Sequence, residues 1–261
     1  MPPVLETRNL SRSFGAVVAA ANINLSLEEN EVVGVIGANG AGKTTFVNMV
    51  TGYLKPSAGA ILYRGDDITA LPPRAVTRLG ICRSFQVPQI FAELSVLDNL
   101  LVAETIARRT GLGFWRPAHG AAAVERALGV LDRYGLGSYR DQSAGTLPQG
   151  VRKLLDIAMA TAAEPRLILL DEPTSGISVE EKYAVMDRLL AGLGERGVTI
   201  LFIEHDMEIV ERYGHRVIAF YEGRIIGDGP PTEVLADGDV RRYVVGTELH
   251  RRSNGPGRAP C

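Results

Sequence analysis

The chain has 261 residues, 46% of them hydrophobic, and its 28 Lys plus Arg stand against 30 Asp plus Glu, a formal charge of −2. This length can bury a large core in one big domain or two small ones, and the charge gives no argument for nucleic acid as a partner. No apolar run is long enough to cross a bilayer and no signal-peptide pattern opens the chain, so we expect a soluble protein that stays where it is made. Cys82 and Cys261 are too few for a disulfide framework or a metal site, which fits a reducing cytoplasm, and neither is assigned a function.

Residues 4–27 predict extended strands joined by turns. Alternation at Ile23, Leu25 and Leu27 indicates a half-buried strand. Phe14 is followed by a glycine and could present its ring to a flat ligand, although an aromatic residue taken alone is more often part of the core.

Residues 31–54 contain the pattern G-x-x-x-x-G-K-T, with an apolar run before it and apolar residues at helical spacing after it, through Tyr53 and Leu54. Strand, glycine turn and helix in this order predict a phosphate-binding loop. Glycines let backbone N–H groups turn inward, and the helix beginning near Lys43 directs its positive end at the anion. Lys43 is expected to reach the β- and γ-phosphates of a nucleoside triphosphate, and the Thr44 hydroxyl to bind Mg²⁺. The predicted nucleotide-binding residues are Gly37, Ala38, Asn39, Gly40, Ala41, Gly42, Lys43, Thr44 and Thr45.

The segment that follows predicts a strand at residues 60–63, antiparallel to the first strands, and a short helix in LPPRAVTRLG. Another strand is predicted at residues 81–86, ending at Gln86. An amide side chain can hold a metal-bound water or sense a phosphate, but a loop glutamine is usually only solvated.

A wholly helical block is predicted between about residues 93 and 163. Ser95, with Asp98 three residues on, caps a helix in SVLDNLLVAETIARR, and AAAVERALGVLDRYG forms a second helix after a loop at 111–120. Because the block interrupts an α/β pattern, it suggests an inserted subdomain.

The α/β pattern resumes with LILL at residues 167–170, an apolar run typical of a parallel strand that is buried on both faces. It ends in Asp171 and Glu172, at the edge where doubly wound sheets bind ligands. We expect Asp171 to hold Mg²⁺ and Glu172 to orient and deprotonate an attacking water. The alternative is a pair of surface carboxylates at a strand end.

The last third of the chain predicts a helix, a strand, a hairpin and a tail. Ser178 with Glu181 forms a capping box, and the helix it opens has a core face at Tyr183, Met186, Leu189, Leu190 and Leu193. The strand at 198–203 leads to His205, which could point at the γ-phosphate from the same side as the two carboxylates, although a lone histidine is more often structural. Residues 216–221 and 224–226 read as a hairpin, and the tail at 249–261 as disordered.

The order of these motifs, with LPQGVRK at 147–153, resembles the ATP-binding subunits of ABC transporters over residues 4–248. The resemblance implies an α/β P-loop NTPase (RecA-like) core with an antiparallel β subdomain, residues 4–92 and 164–248, and an inserted α-helical subdomain, residues 93–163. It implies that Phe14 stacks on adenine, that Gln86 is the Q-loop residue and binds metal, and that His205 is the switch histidine. It also implies that Gly150 is the retained glycine of the family's signature motif, here residues 147–151, which faces a partner's ATP.

Within the family the chain is most similar to importers for branched-chain amino acids and related solutes. The resemblance implies an ATPase on the cytoplasmic face of the inner membrane that works with a second ATPase subunit and two membrane permease subunits, and indirectly with a periplasmic binding protein. The chain departs from the family pattern at two places. Pro148 and Val151 in the signature weaken this chain's contribution to the γ-phosphate of the ATP bound by the second ATPase. Ser178 stands in place of an aspartate, so the charge that would cross the dimer interface is missing. These departures favour a heterodimer with one strong and one weak ATP site.

Three alternatives remain at this stage. A soluble ABC ATPase of DNA repair or translation usually has coiled-coil arms or tandem cassettes, which this chain lacks. A P-loop kinase or GTPase leaves the helical block and His205 unexplained. A regulatory subunit that binds ATP with little turnover is compatible with the altered signature.

Overall fold

The structure is a computed structural model, and it describes residues 2–108 and 120–246. The described residues divide into two compact units, one made of residues 2–70 and 201–246 and the other of residues 71–108 and 120–200. The predicted tail at 249–261 and nearly all of the predicted loop at 111–120 lie outside the described residues.

The strands are β1 (Leu5–Phe14), β2 (Val17–Leu27), β3 (Val32–Gly37), β4 (Ala58–Tyr63), β5 (Asp66–Asp67), β6 (Ile81–Arg83), β7 (Leu167–Asp171), β8 (Thr199–Ile203), β9 (Arg216–Tyr221) and β10 (Arg224–Gly229). The helices are α1 (Lys43–Val50), α2 (Pro73–Leu79), α3 (Val96–Arg108), α4 (Ala121–Arg133), α5 (Gln149–Thr161), α6 (Val179–Gly194), α7 (Met207–Tyr213), α8 (Pro231–Val234) and α9 (Gly238–Val240), with 3₁₀ turns at Gly137–Tyr139 and Ala144–Thr146 and a π-helical segment at Arg241–Val245.

The first unit contains an antiparallel sheet in the order β2-β1-β4-β5. The alternation that predicted a half-buried strand is confirmed, because Ile23, Leu25 and Leu27 are all buried while the residues between them are not. The antiparallel pairing of β4 with β1 is confirmed as well. These four strands are the predicted antiparallel β layer.

The same unit carries the strand that leads into the phosphate loop. This strand, β3, lies between β9 and β8 in the strand order β10-β9-β3-β8. It runs parallel to β9, and β9 and β10 form the predicted hairpin. Glu222 and Gly223 turn this hairpin at positive φ, 45° and 75°. Helix α1 follows β3 but ends at Val50. The prediction that the helix extends through Tyr53 and Leu54 is therefore wrong. Gly52 at φ 76° explains the early end, because a glycine in the left-handed region terminates a helix.

The second unit begins with α2, as predicted, and pairs β6 with β7 in parallel. All five residues of β7 are buried, as expected for a strand covered on both faces. The predicted strand to Gln86 is wrong in length, since β6 ends at Arg83 and its pairing with β7 stops at Arg83 and Leu169. Gln86 therefore lies in a loop three residues beyond the strand.

Helices α3, α4 and α5 come between β6 and β7 in the chain, and no strand is assigned among the described residues there, as the predicted helical block requires. The Ser95 cap is confirmed, because its hydroxyl accepts from the N–H of Asp98 at 3.0 Å. Helix α6 buries Val185, Met186, Leu189 and Leu193, whereas Tyr183 and Leu190 of the predicted core face are only half-buried. No helix among the described residues is long and apolar enough to span a bilayer.

Candidate nucleotide-binding site

The phosphate loop connects β3 to α1 through glycines that no other residue could replace without strain. Gly40 and Gly42 have φ of 84° and 102°. A Cβ at Gly42 would lie 2.5 Å from the carbonyl oxygen of Ala19, and one at Gly37 would lie 2.5 Å from that of Phe220. The glycines of the sequence pattern are therefore demanded by both backbone conformation and close packing.

The loop is held from behind by the turn of the β9–β10 hairpin. The N–H of Gly223 donates to the carbonyl of Ala41 at 2.9 Å, and the carbonyl of Gly223 accepts from the N–H of Ala21 at 2.8 Å. Because the hairpin turn bonds to the loop and is itself bonded to β2, the loop has a defined shape into which an anion can fit without large backbone movement.

Lys43 and Thr44 open α1. The Lys43 side chain is only 6% exposed, and its Nζ donates to the carbonyl oxygens of Gly37 and, at 3.1 Å, Ala38. Thr44 is exposed at the helix N-terminus, where the backbone dipole favours an anion. The lysine that is predicted to bind phosphate thus packs against the phosphate loop itself.

Two more predicted residues lie in the first unit. Phe14 ends β1 and is 49% exposed, with the guanidinium of Arg12 at 4.6 Å from its ring centroid and the exposed Val17 as its strand partner. Phe14 is therefore not a core aromatic. His205 follows β8 and is half-buried, and its main-chain N–H donates to the buried carboxylate of Glu204 at 3.3 Å.

Asp171 is the last residue of β7, in the second unit. Its Oδ2 accepts from Nη2 of Arg83 at 2.6 Å, and the two side chains are only 11% and 7% exposed. The carboxylate that was predicted to bind metal therefore forms a nearly buried ion pair with the last residue of β6.

Glu172 follows directly and adopts φ of 50°, in the left-handed region that costs a non-glycine residue about 1–3 kcal/mol. Its Oε2 accepts from Nε2 of Gln86 at 2.7 Å. Gln86 is exposed and Glu172 half-buried. Gln86 and Glu172, two of the predicted catalytic residues, are therefore in direct side-chain contact although they lie far apart in the sequence.

Sequence reasoning missed three charged residues behind this pair. Lys153 on α5 donates to the main-chain carbonyls of Gln86 and Glu172, Asp156 accepts from the N–H of Gln89, and Arg83 pairs with Asp171. The helical period gave no signal for two of them, because Lys153 and Asp156 lie on the side of α5 opposite the apolar stripe of Leu154, Leu155 and Ala158, where charged residues are usually solvated.

The signature segment, residues 147–151, and Ser178 are the two places where this chain departs from the family pattern. Pro148 precedes α5 as its N-cap, and Gly150 is buried, where an added Cβ would lie 3.0 Å from Cγ2 of Val185. The capping prediction at Ser178 is confirmed, because its hydroxyl accepts from the N–H of Glu181 at 3.3 Å. The role of Gly150 toward a partner's nucleotide stays a prediction.

The donor types fit Mg²⁺ and a nucleoside triphosphate. Among the described residues no group of three His, Cys, Asp or Glu side chains could hold a metal ion. Magnesium, however, is usually bound by one or two protein oxygens while phosphates and water complete its shell. The Thr44 hydroxyl in the first unit and the Asp171 carboxylate in the second are each an oxygen donor of this kind, and their role toward Mg²⁺ stays a prediction.

A glycine loop between a buried strand and a helix, and a buried strand that ends in two carboxylates, define a P-loop nucleotide-binding protein. The family model described as ABC transporter matches residues 20–175. The chain therefore belongs to the ABC transporter family, as one of its ATP-binding cassettes.

Its relatives narrow the resemblance further. The chain is 37% identical over 251 residues to the high-affinity branched-chain amino acid transport ATP-binding protein LivG of Escherichia coli K12, covering 94% of this chain and 98% of that one. It is 36% identical to BraF of Pseudomonas aeruginosa, a protein of the same description, over 94% of this chain and 98% of BraF.

A solved structure confirms the predicted fold class. The ADP conformation of MJ1267, an ATP-binding cassette of an ABC transporter, superimposes with a TM-score of 0.83 at 32% identity, over 93% of this chain and 98% of that one. The chain thus shares its fold with a solved ATP-binding cassette.

Proposed function

We propose that this chain is the ATP-hydrolysing subunit of an ABC importer for branched-chain amino acids or a related small solute. The observation that carries the proposal is the contact of Gln86 with Glu172 at 2.7 Å directly after a buried strand, in a chain that also has an intact phosphate loop. The similarity to LivG and BraF supports the choice of solute class.

The residues have separate tasks in this proposal. Backbone N–H groups of the loop and the Lys43 ammonium bind phosphate oxygens, and Phe14 stacks on the adenine. Thr44, Asp171 and Gln86 would hold Mg²⁺, which supplies neutralising charge at the phosphates. Glu172 accepts the proton of the attacking water, Gln86 orients that water, and His205 contacts the γ-phosphate.

The proposed partners follow from the altered signature. Pro148 has neither the serine hydroxyl nor an N–H to offer to a nucleotide, and Ser178 caps α6 without the negative charge of an aspartate. We therefore propose a heterodimer with a second ATPase that carries an unaltered signature, docked on two permease subunits at the cytoplasmic face of the membrane, with a periplasmic solute-binding protein delivering the solute.

The first experiment measures ATP turnover of the purified chain alone and mixed with a candidate second ATPase subunit that carries an unaltered signature. Mixing should raise turnover well above that of either protein, and Lys43→Ala should abolish this chain's share. Glu172→Gln should bind ATP, stall, and run as a dimer in size-exclusion chromatography. Hydrolysis by Glu172→Gln at the parent rate would remove Glu172 as the base.

The alternatives have their own readouts. A regulatory subunit would bind ATP yet show the same turnover as its Lys43→Ala variant. A soluble ABC ATPase would not copurify with membrane subunits from detergent-solubilised membranes. Proteoliposomes with all subunits should accumulate leucine in an ATP-dependent way, and accumulation of a different solute would correct the substrate class alone.

A further inference from the structure

Helix α5 buries two charged side chains one turn apart. Lys153 is 2% exposed and Asp156 is 6% exposed, in a stretch of the helix that also buries Leu154, Leu155 and Ile157. Burying a charged side chain costs free energy, whereas burying an apolar side chain of similar size does not. The cost is offset only where hydrogen-bond partners or opposite charges are held in place around the buried charge. A pair of this kind therefore calls for partners whose placement matters.

The partners are the main chain of the two predicted catalytic residues and of the loop between β6 and α3. Nζ of Lys153 donates to the carbonyl oxygen of Gln86 and, at 3.2 Å, to that of Glu172. Oδ1 of Asp156 accepts from the N–H of Gln89 at 2.7 Å. One turn of α5 thus holds residues 86–89 at both ends and holds Glu172 at the same time.

The Glu172 backbone needs such a hold. Its φ of 50° is unfavourable for a residue with a side chain, and such a conformation persists only where the surroundings enforce it. A hydrogen bond from a buried ammonium to its carbonyl fixes the peptide after this dihedral. The Glu172 carboxylate can then meet the Gln86 amide at 2.7 Å.

We propose that Lys153 is a positioning residue for ATP hydrolysis, which aligns Gln86 with Glu172 by bridging their carbonyl oxygens, while Asp156 fixes the far end of the loop. The inference rests on the proposed function, in which Glu172 is the base. Gly150 lies three residues before Lys153 on the same helix, so a movement of the signature segment reaches Gln86 and Glu172 together.

The test replaces the ammonium with an apolar chain of similar length, Lys153→Met, in the full chain assayed with its partner ATPase. Turnover should fall by about 10²-fold, the usual effect of displacing a catalytic group by about 1 Å. The dissociation constant of a fluorescent ADP should stay within about twofold of the parent value, because the two residues whose carbonyl oxygens Lys153 bridges, Gln86 and Glu172, are assigned to hydrolysis and not to binding the adenine or the phosphates. Lys182→Met is the matched control, since Lys182 is also a buried lysine of the second unit (7% exposed) but belongs to α6, with its ammonium over the Tyr183 ring.

A double-variant cycle separates positioning from a loss of stability. If Lys153 acts through Glu172, adding Lys153→Met to Glu172→Gln should change the residual single-turnover rate by no more than about twofold. A second loss as large as the first would overturn the proposal, and so would parent turnover in Lys153→Met or an equal loss in Lys182→Met.

A second variant covers the case in which Lys153→Met does not fold, as judged by circular dichroism. Asp156→Leu releases Gln89 and leaves Lys153 in place, so it should lower turnover while ADP binding is retained, and unchanged turnover would overturn the proposal. If the parent pair itself hydrolyses no ATP, the proposed function fails instead, and that result is distinct from every outcome above.

Discussion

The substitution Arg83→Met tests whether the ion pair between Arg83 and Asp171 is buried, so that each charge depends on the other for its stability. Arg83 is the cation that faces Asp171, at 2.6 Å, and the side chains are 7% and 11% exposed. Methionine keeps much of the arginine stem and leaves the carboxylate without this partner.

The expected cost follows from burial. Removing one member of a buried ion pair typically destabilises a protein by about 3–5 kcal/mol, because the other charge stays out of water. For a chain of this size each kcal/mol lowers the unfolding midpoint by about 2–4 °C. We therefore expect a midpoint lower by about 6–20 °C at neutral pH.

Thermal unfolding followed by circular dichroism measures the effect. Arg64→Met is the control, because the pair of Arg64 with Glu29 is 43% and 49% exposed and should contribute little. The double variant Arg83→Met with Asp171→Asn should recover much of the midpoint, since no buried charge is then left unpaired. If Asp171 binds Mg²⁺ as proposed, Mg²⁺ with ADP should raise the midpoint of Arg83→Met more than that of the parent.

A midpoint for Arg83→Met within about 2 °C of the parent would refute the reasoning, because it would mean that the Asp171 charge is solvated or compensated elsewhere. A double variant that melts lower than both single variants would equally contradict it. In that case Arg83 would contribute packing and not charge.

Three further predictions follow from single positions. Gly42→Ala should lose measurable binding of fluorescent ADP, whereas Gly40→Ala, which also has positive φ but open space around it, should retain more affinity. Gly192→Ala should lower the free energy of unfolding in urea by about 1–3 kcal/mol, because its Cβ would lie 2.7 Å from the ring of the buried Tyr134; unchanged unfolding would contradict this packing. Burial raises the pKa of the Cys82 thiol to about 12 from 9.0, so at pH 8 Cys82 should resist iodoacetamide in the folded protein, as read by site-resolved mass spectrometry. The unfolded thiol loses its proton first, so this group makes stability fall as pH rises between about 9 and 12, and fast labelling at pH 8 would contradict its burial.

The local patterns predicted the elements well where the chain's own period carries the information. The apolar runs became β3 and β7, the alternation in residues 23–27 became the inner face of β2, and the caps at Ser95 and Ser178 formed. Errors fell at ends of elements. The strand before Gln86 is shorter than predicted and α1 ends before Tyr53, because strand pairing and a left-handed glycine set these limits.

By itself the sequence determined the phosphate loop, the acidic end of the LILL strand and the family, since each depends on neighbouring residues and on their spacing along the chain. Only the tertiary structure decided that Lys153 bridges the carbonyls of Gln86 and Glu172, and that Arg83 neutralises Asp171. These contacts join residues up to 88 positions apart. Charge pairing in the interior depends on distance and burial, and neither quantity can be read from the local order of residues.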